Sequence, residues 1–186
     1  MGGVAYGSGR QALLDAAIRV VSAQGLRGLT YRSVAAEAGV SHGSVRYHFG
    51  DWATLVEEAL ASCVERSVAD AELSSDEPGF GQFASGLVSL VSANPDAQAF
   101  QYELTLEARR RPELRPVMER VNDIYRDAVQ RELARNGLGD RALAELVFVT
   151  IDGLVFHQTA FGDDERTERA VAALRALLSA YAASRS

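Results

Sequence analysis

The sequence predicts an all-α fold: an N-terminal helix-turn-helix head followed by a larger helical body, about nine helices in all. Three observations carry this expectation. Apolar residues recur at helical spacing along nearly the whole chain. Gly, Pro and Asn gather at the joints between these stretches. Runs of strand length with period-two alternation and hairpin turns are missing, as are internal repeats. With 186 residues, 47% of them apolar, the chain can bury a real core in one or two domains.

The elements follow in order. From Gln11 to Gln24, Leu13, Ala17, Val20 and Val21 form an apolar face, with Ser8 as the expected cap and Gly25 as the stop. Met1 to Gly9 is expected to be a loose arm. Thr30 caps a short helix from Tyr31 to Ala38, which Gly39 ends. Ser41 caps the next, from His42 to His48. A longer helix runs from Asp51 to about Glu72. Ser74 to Gly79 is small and polar with a Pro-Gly step, so it reads as a linker. Five further helices are expected over Phe80–Ala93, Asp96–Arg109, Pro112–Asn136, Asp140–Phe161 and Asp164–Ala183. The domains are then 1–55 for the head, its connecting helix continuing to about 72, and 56–186 for the body.

Charge and composition exclude several classes of function. All nineteen cationic residues are arginine, and twenty-five acids leave a net charge of −6. The first sixty residues hold five Arg and five acids; the whole excess of acid lies in the body. A globally basic surface is excluded, while a local nucleic-acid contact on the head is not. Cys63 is the only cysteine, so an intramolecular disulfide is excluded; it reads as a small apolar filler in a reducing compartment. The chain has neither an uninterrupted apolar span nor a signal-peptide layout, so a cytoplasmic protein with no membrane partner is expected. The three histidines, His42, His48 and His157, form no metal-ligand pattern. His-Glu-x-x-His, a phosphate-cradling Gly loop and a nucleophile triad are all missing, so neither an enzyme, a metal nor a cofactor is expected.

The strongest signal is Leu29 to Phe49, LTYRSVAAEAGVSHGSVRYHF. Two short helices meet at a Gly-containing turn. Ala35 is small where the helices cross, and Val34, Ala38, Val40 and Val45 are expected to form the core that sets their angle. The second helix has almost no apolar surface besides Val45. It offers hydrogen-bonding or contact-permitting residues, as a groove-reading element needs.

The wider block from Leu13 to Leu60 resembles the DNA-binding domain of the TetR family of transcriptional regulators; the matching text is LLDAAIRVVSAQGLRGLTYRSVAAEAGVSHGSVRYHFGDWATLVEEAL. It covers about a quarter of the chain with high specificity. The body resembles the family in helix count and length only. The resemblance implies backbone contacts from Arg10, Thr30 and Arg32, and a recognition helix presenting Ser41, His42, Gly43, Ser44, Arg46, Tyr47 and His48. The chain departs from the family pattern at His42, where Lys is frequent, and at Arg46, where Tyr is common. Arginine can donate two bonds to guanine, so Arg46 points to altered base readout. Trp52 stands where the family usually has Lys; it is either an indole N–H donor to phosphate or a packing residue.

The resemblance also implies a homodimer on a pseudo-palindromic duplex operator, with a small-molecule effector in the body. Leu143, Leu146, Val147, Thr150 and Leu154 form one interface stripe, joined by Asp152, whose carboxylate needs a partner in the ligand or, preferably, across the interface. Val171, Leu174, Leu177, Leu178 and Tyr181 form the other; each stripe also serves partly as intrachain core. Candidate pocket residues are Phe83, Leu87, Phe100, Tyr102, Glu103 and Leu106, then Met118, Asn122, Tyr125, Phe148 and His157. Arg109 to Arg111 can touch DNA phosphate or an acidic effector, but reads more simply as a solvated basic loop balanced by Glu107 and Glu113. The expected function is that of a ligand-responsive regulator, most simply a repressor. The rival is a ligand-binding helical protein that has lost specific DNA binding.

Overall fold

The computed structural model describes residues 6–70 and 78–185. Among these residues it is helical throughout, without strands. The helices are α1 (Tyr6–Gln24), α2 (Tyr31–Ala38), α3 (His42–Phe49), α4 (Trp52–Asp70), α5 (Leu87–Ala93), α6 (Pro95–Glu107), α7 (Arg115–Arg135), α8 (Arg141–Phe161) and α9 (Asp164–Ala183). The all-α expectation holds, with two local corrections. Helix α1 begins at Tyr6, which puts Ser8 inside the helix rather than at its cap. Residues 80–86 are turns, so the helix expected from Phe80 starts only at Leu87. Gly79 at φ 98° and Ala84 at φ 55° break the helical backbone there. The turns bury Phe80 and Phe83 edge to face, with ring centroids 6.0 Å apart. Of the expected linker, only Pro78 and Gly79 lie among the described residues, as do only Tyr6 to Gly9 of the expected arm.

The chain forms two compact units. The first comprises Met1–Glu65 and Asp96–Met118; the second comprises Arg66–Pro95 and Glu119–Ser186. The expected division at residue 55 was sequential, whereas the observed one gives α6 to the same unit as the helix-turn-helix. Helices α4 and α7 each pass from one unit into the other along the chain.

In the first unit the apolar stripe of α1 is buried as expected, at Leu13, Ala17, Val20 and Val21. Val34 and Ala35 of α2, Val45 and Phe49 of α3, and Leu55, Val56 and Ala59 of α4 are buried with it. Val40, expected in this core, is instead 44% exposed. It follows Gly39, whose left-handed backbone at φ 68° turns the chain out before α3 starts. Polar contacts tie the helices together. Arg19 Nε donates to Glu37 at 2.7 Å between α1 and α2, and Ser22 Oγ donates to Asp96 at 2.7 Å between α1 and α6. Cys63 is buried, consistent with a filler.

The core of the second unit includes Phe80, Phe83, Leu87, Val91, Leu133 and Val147, with Val171 and Leu178 from α9. Asn136 fastens one edge: its Oδ1 accepts from the Gly79 N–H at 2.6 Å while its Nδ2 donates to the buried Glu132. Arg175 Nε donates to the Phe83 carbonyl at 2.7 Å, holding α9 to the turn before α5.

Candidate nucleic-acid interface

The geometry of the head starts from its caps. Thr30 Oγ1 accepts from the Ser33 N–H at 3.0 Å, and Ser33 Oγ accepts from the Thr30 N–H at 2.9 Å. This reciprocal box starts α2. Ser41 Oγ accepts from the Ser44 N–H at 3.3 Å and starts α3 in the same way. Asp51 caps α4, its Oδ1 accepting from the Thr54 N–H at 2.8 Å. That backbone hydrogen bond holds the Asp51 carboxyl below the usual carboxylate range.

Helix α3 divides cleanly between core and solvent. Val45 and Phe49, one turn apart, are buried. His42, Gly43, Arg46 and Tyr47 are exposed, Tyr47 at 74%, and Ser44 and His48 are half-buried. The exposed set fills one side of the helix. Gly43 lowers that side: an added Cβ would meet only Ser41 Oγ, at 3.9 Å. A surface can approach the backbone closely there.

Three other expected contact residues have distinct environments. Arg32 is exposed at the start of α2. The Arg10 guanidinium pairs with Glu58, with nitrogen–oxygen distances of 2.6 Å, and lies 4.9 Å from the centroid of the Phe49 ring. Its Nη2 also donates to the His48 carbonyl at 3.5 Å. Arg10 thus braces the end of α3 against α1 and α4. Trp52 donates its indole N–H to the Leu29 carbonyl at 3.2 Å. Of its two expected roles the structure gives it packing, joining the start of α4 to the start of α2. Tyr31 supports the same junction by donating its hydroxyl to the Gly50 carbonyl at 3.2 Å.

The sequence reads Arg111 as part of a solvated loop, whereas the structure sets it against Trp52. Its guanidinium lies over the Trp52 ring, 5.1 Å from the centroid. Only tertiary structure brings these two positions together.

The expected pocket residues are divided between the units. Phe100, Tyr102, Glu103, Leu106 and Met118 belong to the first; Phe83, Leu87, Asn122, Tyr125, Phe148 and His157 belong to the second. Phe83, Leu87, Phe100 and Met118 are buried, and Phe83 and Leu87 are core members. Leu106 and His157 are exposed. Tyr102, Glu103, Asn122, Tyr125 and Phe148 are half-buried, and Arg126 lies 5.0 Å over the Phe148 ring. The Arg126 guanidinium is held charged chiefly by its hydrogen bond to Glu145, which raises its pKa.

The expected dimer stripes are divided too. Val147, Val171 and Leu178 are buried within the chain. Leu143, Thr150, Leu154 and Leu174 are half-buried, and Asp152 is exposed. Leu146, Leu177 and Tyr181 face outward at 63%, 69% and 42% exposure. Val149, Phe156 and Phe161 are exposed as well, and sequence reading missed them. The signal was present: 146, 149, 153 and 156 repeat at heptad spacing, on the side of α8 nearly opposite its buried residues Ala144, Val147 and Gln158. Helix α8 is long and apolar enough to cross a membrane by length and composition only, although Glu145 and Asp152 interrupt its apolar run.

The fold and this surface define a helical DNA-binding regulator with a separate helical body. Residues 13–59 match the domain described as bacterial regulatory proteins, tetR family, and residues 78–180 match the tetracyclin repressor-like C-terminal domain. The chain belongs to the TetR family of DNA-binding transcriptional regulators. Among solved structures, a TetR-family member from Streptomyces coelicolor A3 is 32% identical, with TM-score 0.71, covering 90% of this chain and 98% of that one. The multidrug binding protein EbrR, complexed with imidazole, is 33% identical with TM-score 0.65, covering 89% and 87%. A transcriptional regulator from Rhodococcus sp. Rha1 shares the fold at 22% identity, with TM-score 0.75 over 91% and 95%. No curated protein matches the chain.

Proposed function

We propose that the chain is a homodimeric repressor that leaves a pseudo-palindromic operator when a small organic effector binds its body. The observation that carries the DNA-binding part is the division of α3 into a buried Val45–Phe49 face and an exposed face of His42, Gly43, Arg46 and Tyr47. Arg46 is the base reader, donating two bonds to guanine. Tyr47, His48, Ser44 and Arg32 position the helix on phosphates. The outward stripes of α8 and α9 meet their copies in a second chain, giving a two-fold dimer whose recognition helices occupy successive major-groove turns. A duplex target places the protein in the cytoplasm.

The effector class rests on kinship. EbrR is complexed with imidazole, proflavin and malachite green in three structures. A small organic molecule, with half-buried Asn122, Tyr125 and Phe148 among its contacts, is the corresponding effector here. Because α4 and α7 run through both units, a shift of either helix on binding is carried to the head. The spacing of the recognition helices then departs from the roughly 34–36 Å the duplex allows. Release requires the effector to favour the DNA-incompetent state, and the coupling is reciprocal.

The test is selection of random duplexes by the purified protein and by Arg46→Ala at stated salt. An inverted repeat is expected from the wild type, with about 1–3 kcal/mol of base discrimination lost at one position per half-site in the variant. Failure to enrich any sequence at low salt by a folded dimer overturns the reading in favour of a ligand-binding protein without specific DNA contact.

A further inference from the structure

We infer that the Arg109–Arg111 turn after α6 is an additional phosphate-binding element, extending the DNA surface beyond the helix-turn-helix. This inference rests on the DNA-binding reading above.

The argument begins with Trp52, which puts an uncharged ring at the start of α4. Its indole N–H is held by the Leu29 carbonyl, so its edge is tied to the start of α2. The Arg111 guanidinium sits 5.1 Å over that ring, restoring positive charge beside the α2–α4 junction from a distant part of the chain. Stacking on an aromatic face orients a guanidinium while leaving its N–H edge available for an anion.

The neighbouring charges add to this field. Glu107, whose side chain is only 9% exposed, pairs with Arg110 and reaches Arg111 Nε at 3.7 Å. One carboxylate therefore anchors two guanidiniums. The Arg110 side chain is 65% exposed, and Arg109 is exposed without an ion pair among the described residues. Three arginines against Glu107 and the nearby Glu113 still leave a surplus of positive charge in this turn. Each guanidinium has five donors, so a bond to Glu107 leaves others for a phosphate. Continuity with the α2–α4 junction, charge complementarity and preorganisation by Trp52 and Glu107 all favour the backbone of the same duplex that α3 reads.

The test is the salt dependence of binding to a mixed-sequence duplex, comparing wild type, R110Q/R111Q and R110K/R111K. Each phosphate contact contributes about 0.9 to the log–log slope, so removing one per protomer lowers it by about 1.8 in a dimer. R110Q/R111Q is expected to lower the slope by about twice that, weakening all sequences alike. R110K/R111K keeps the charge and is expected to restore the slope, which a purely structural role would not predict. If R110Q/R111Q loses its helical signal, R110Q alone carries the test through its exposed side chain, with an expected fall of about 1.8. Unchanged slopes in folded glutamine variants, beside a steep wild-type slope, overturn this inference and leave the regulator intact. A flat wild-type slope overturns the DNA-binding reading itself.

Discussion

Substituting Leu177→Glu on α9 tests the proposed dimer interface apart from the core, because its neighbour Leu178 is buried within the chain. Leu177 is 69% exposed and Leu178 is 3% exposed. Fully burying a leucine side chain contributes about 1.5–3 kcal/mol. With roughly two thirds of Leu177 still to be covered, dimerisation gains about 1–2 kcal/mol per copy, or about 2–4 kcal/mol for the symmetric pair. Every 1.4 kcal/mol is tenfold, so losing this burial weakens association by about thirty- to a thousandfold. A carboxylate buried in its place adds a desolvation penalty. Sedimentation equilibrium is expected to show a dimer for the wild type and a folded monomer for Leu177→Glu at the same micromolar concentration. Leu178→Ala is expected to lose about 2–5 kcal/mol of folding stability instead, from the cavity it leaves. A folded Leu177→Glu variant that associates as tightly as the wild type refutes the assignment of the outward α8–α9 stripes to the interface.

Other expectations concern the head. Phe49→Ala empties a buried position on α3 and removes the ring beneath Arg10. It is expected to cost about 3–5 kcal/mol in urea unfolding. At Gly39, with φ 68° and no atom within 4 Å of an added Cβ, Gly39→Ala meets no clash but holds an L side chain in strained left-handed backbone. The expected loss is about 1–2 kcal/mol by thermal unfolding. The depressed pKa of Asp51 gives its α4 cap a defined pH dependence. Its stabilisation is fully present above the unfolded carboxyl value and is lost as pH falls through the lower folded value. Asp51→Asn is expected to reduce this acid dependence in pH-resolved unfolding.

The caps of α2 and α3 were legible because their chemistry is local. Thr30 reaches Ser33 and Ser41 reaches Ser44 within a single turn, so residue type and spacing were enough to place α2 and α3. The fold class was legible for the same reason, since periodicity and joint residues act over short windows. The start of α5 was not: helical spacing from Phe80 concealed a turn set by Ala84 and by burial of two rings. Val40 misled because apolar character suggested burial, while its place after Gly39 turned it outward.

By itself the sequence determined the helical class, the helix-turn-helix and the faces of α3, all governed by contacts a few residues apart. Tertiary structure alone decided which of two nearly opposite apolar stripes on α8 faces the core, because both satisfy helical periodicity and only packing against α9 and the turns before α5 distinguishes them. It likewise moved Arg111 from an expected solvated loop to the face of Trp52, and gave Arg10 to Glu58 and Trp52 to the Leu29 carbonyl. Such pairings join groups far apart along the chain. A side chain's capacity to bond is written in its chemistry, but its partner is chosen by where the fold brings the two together.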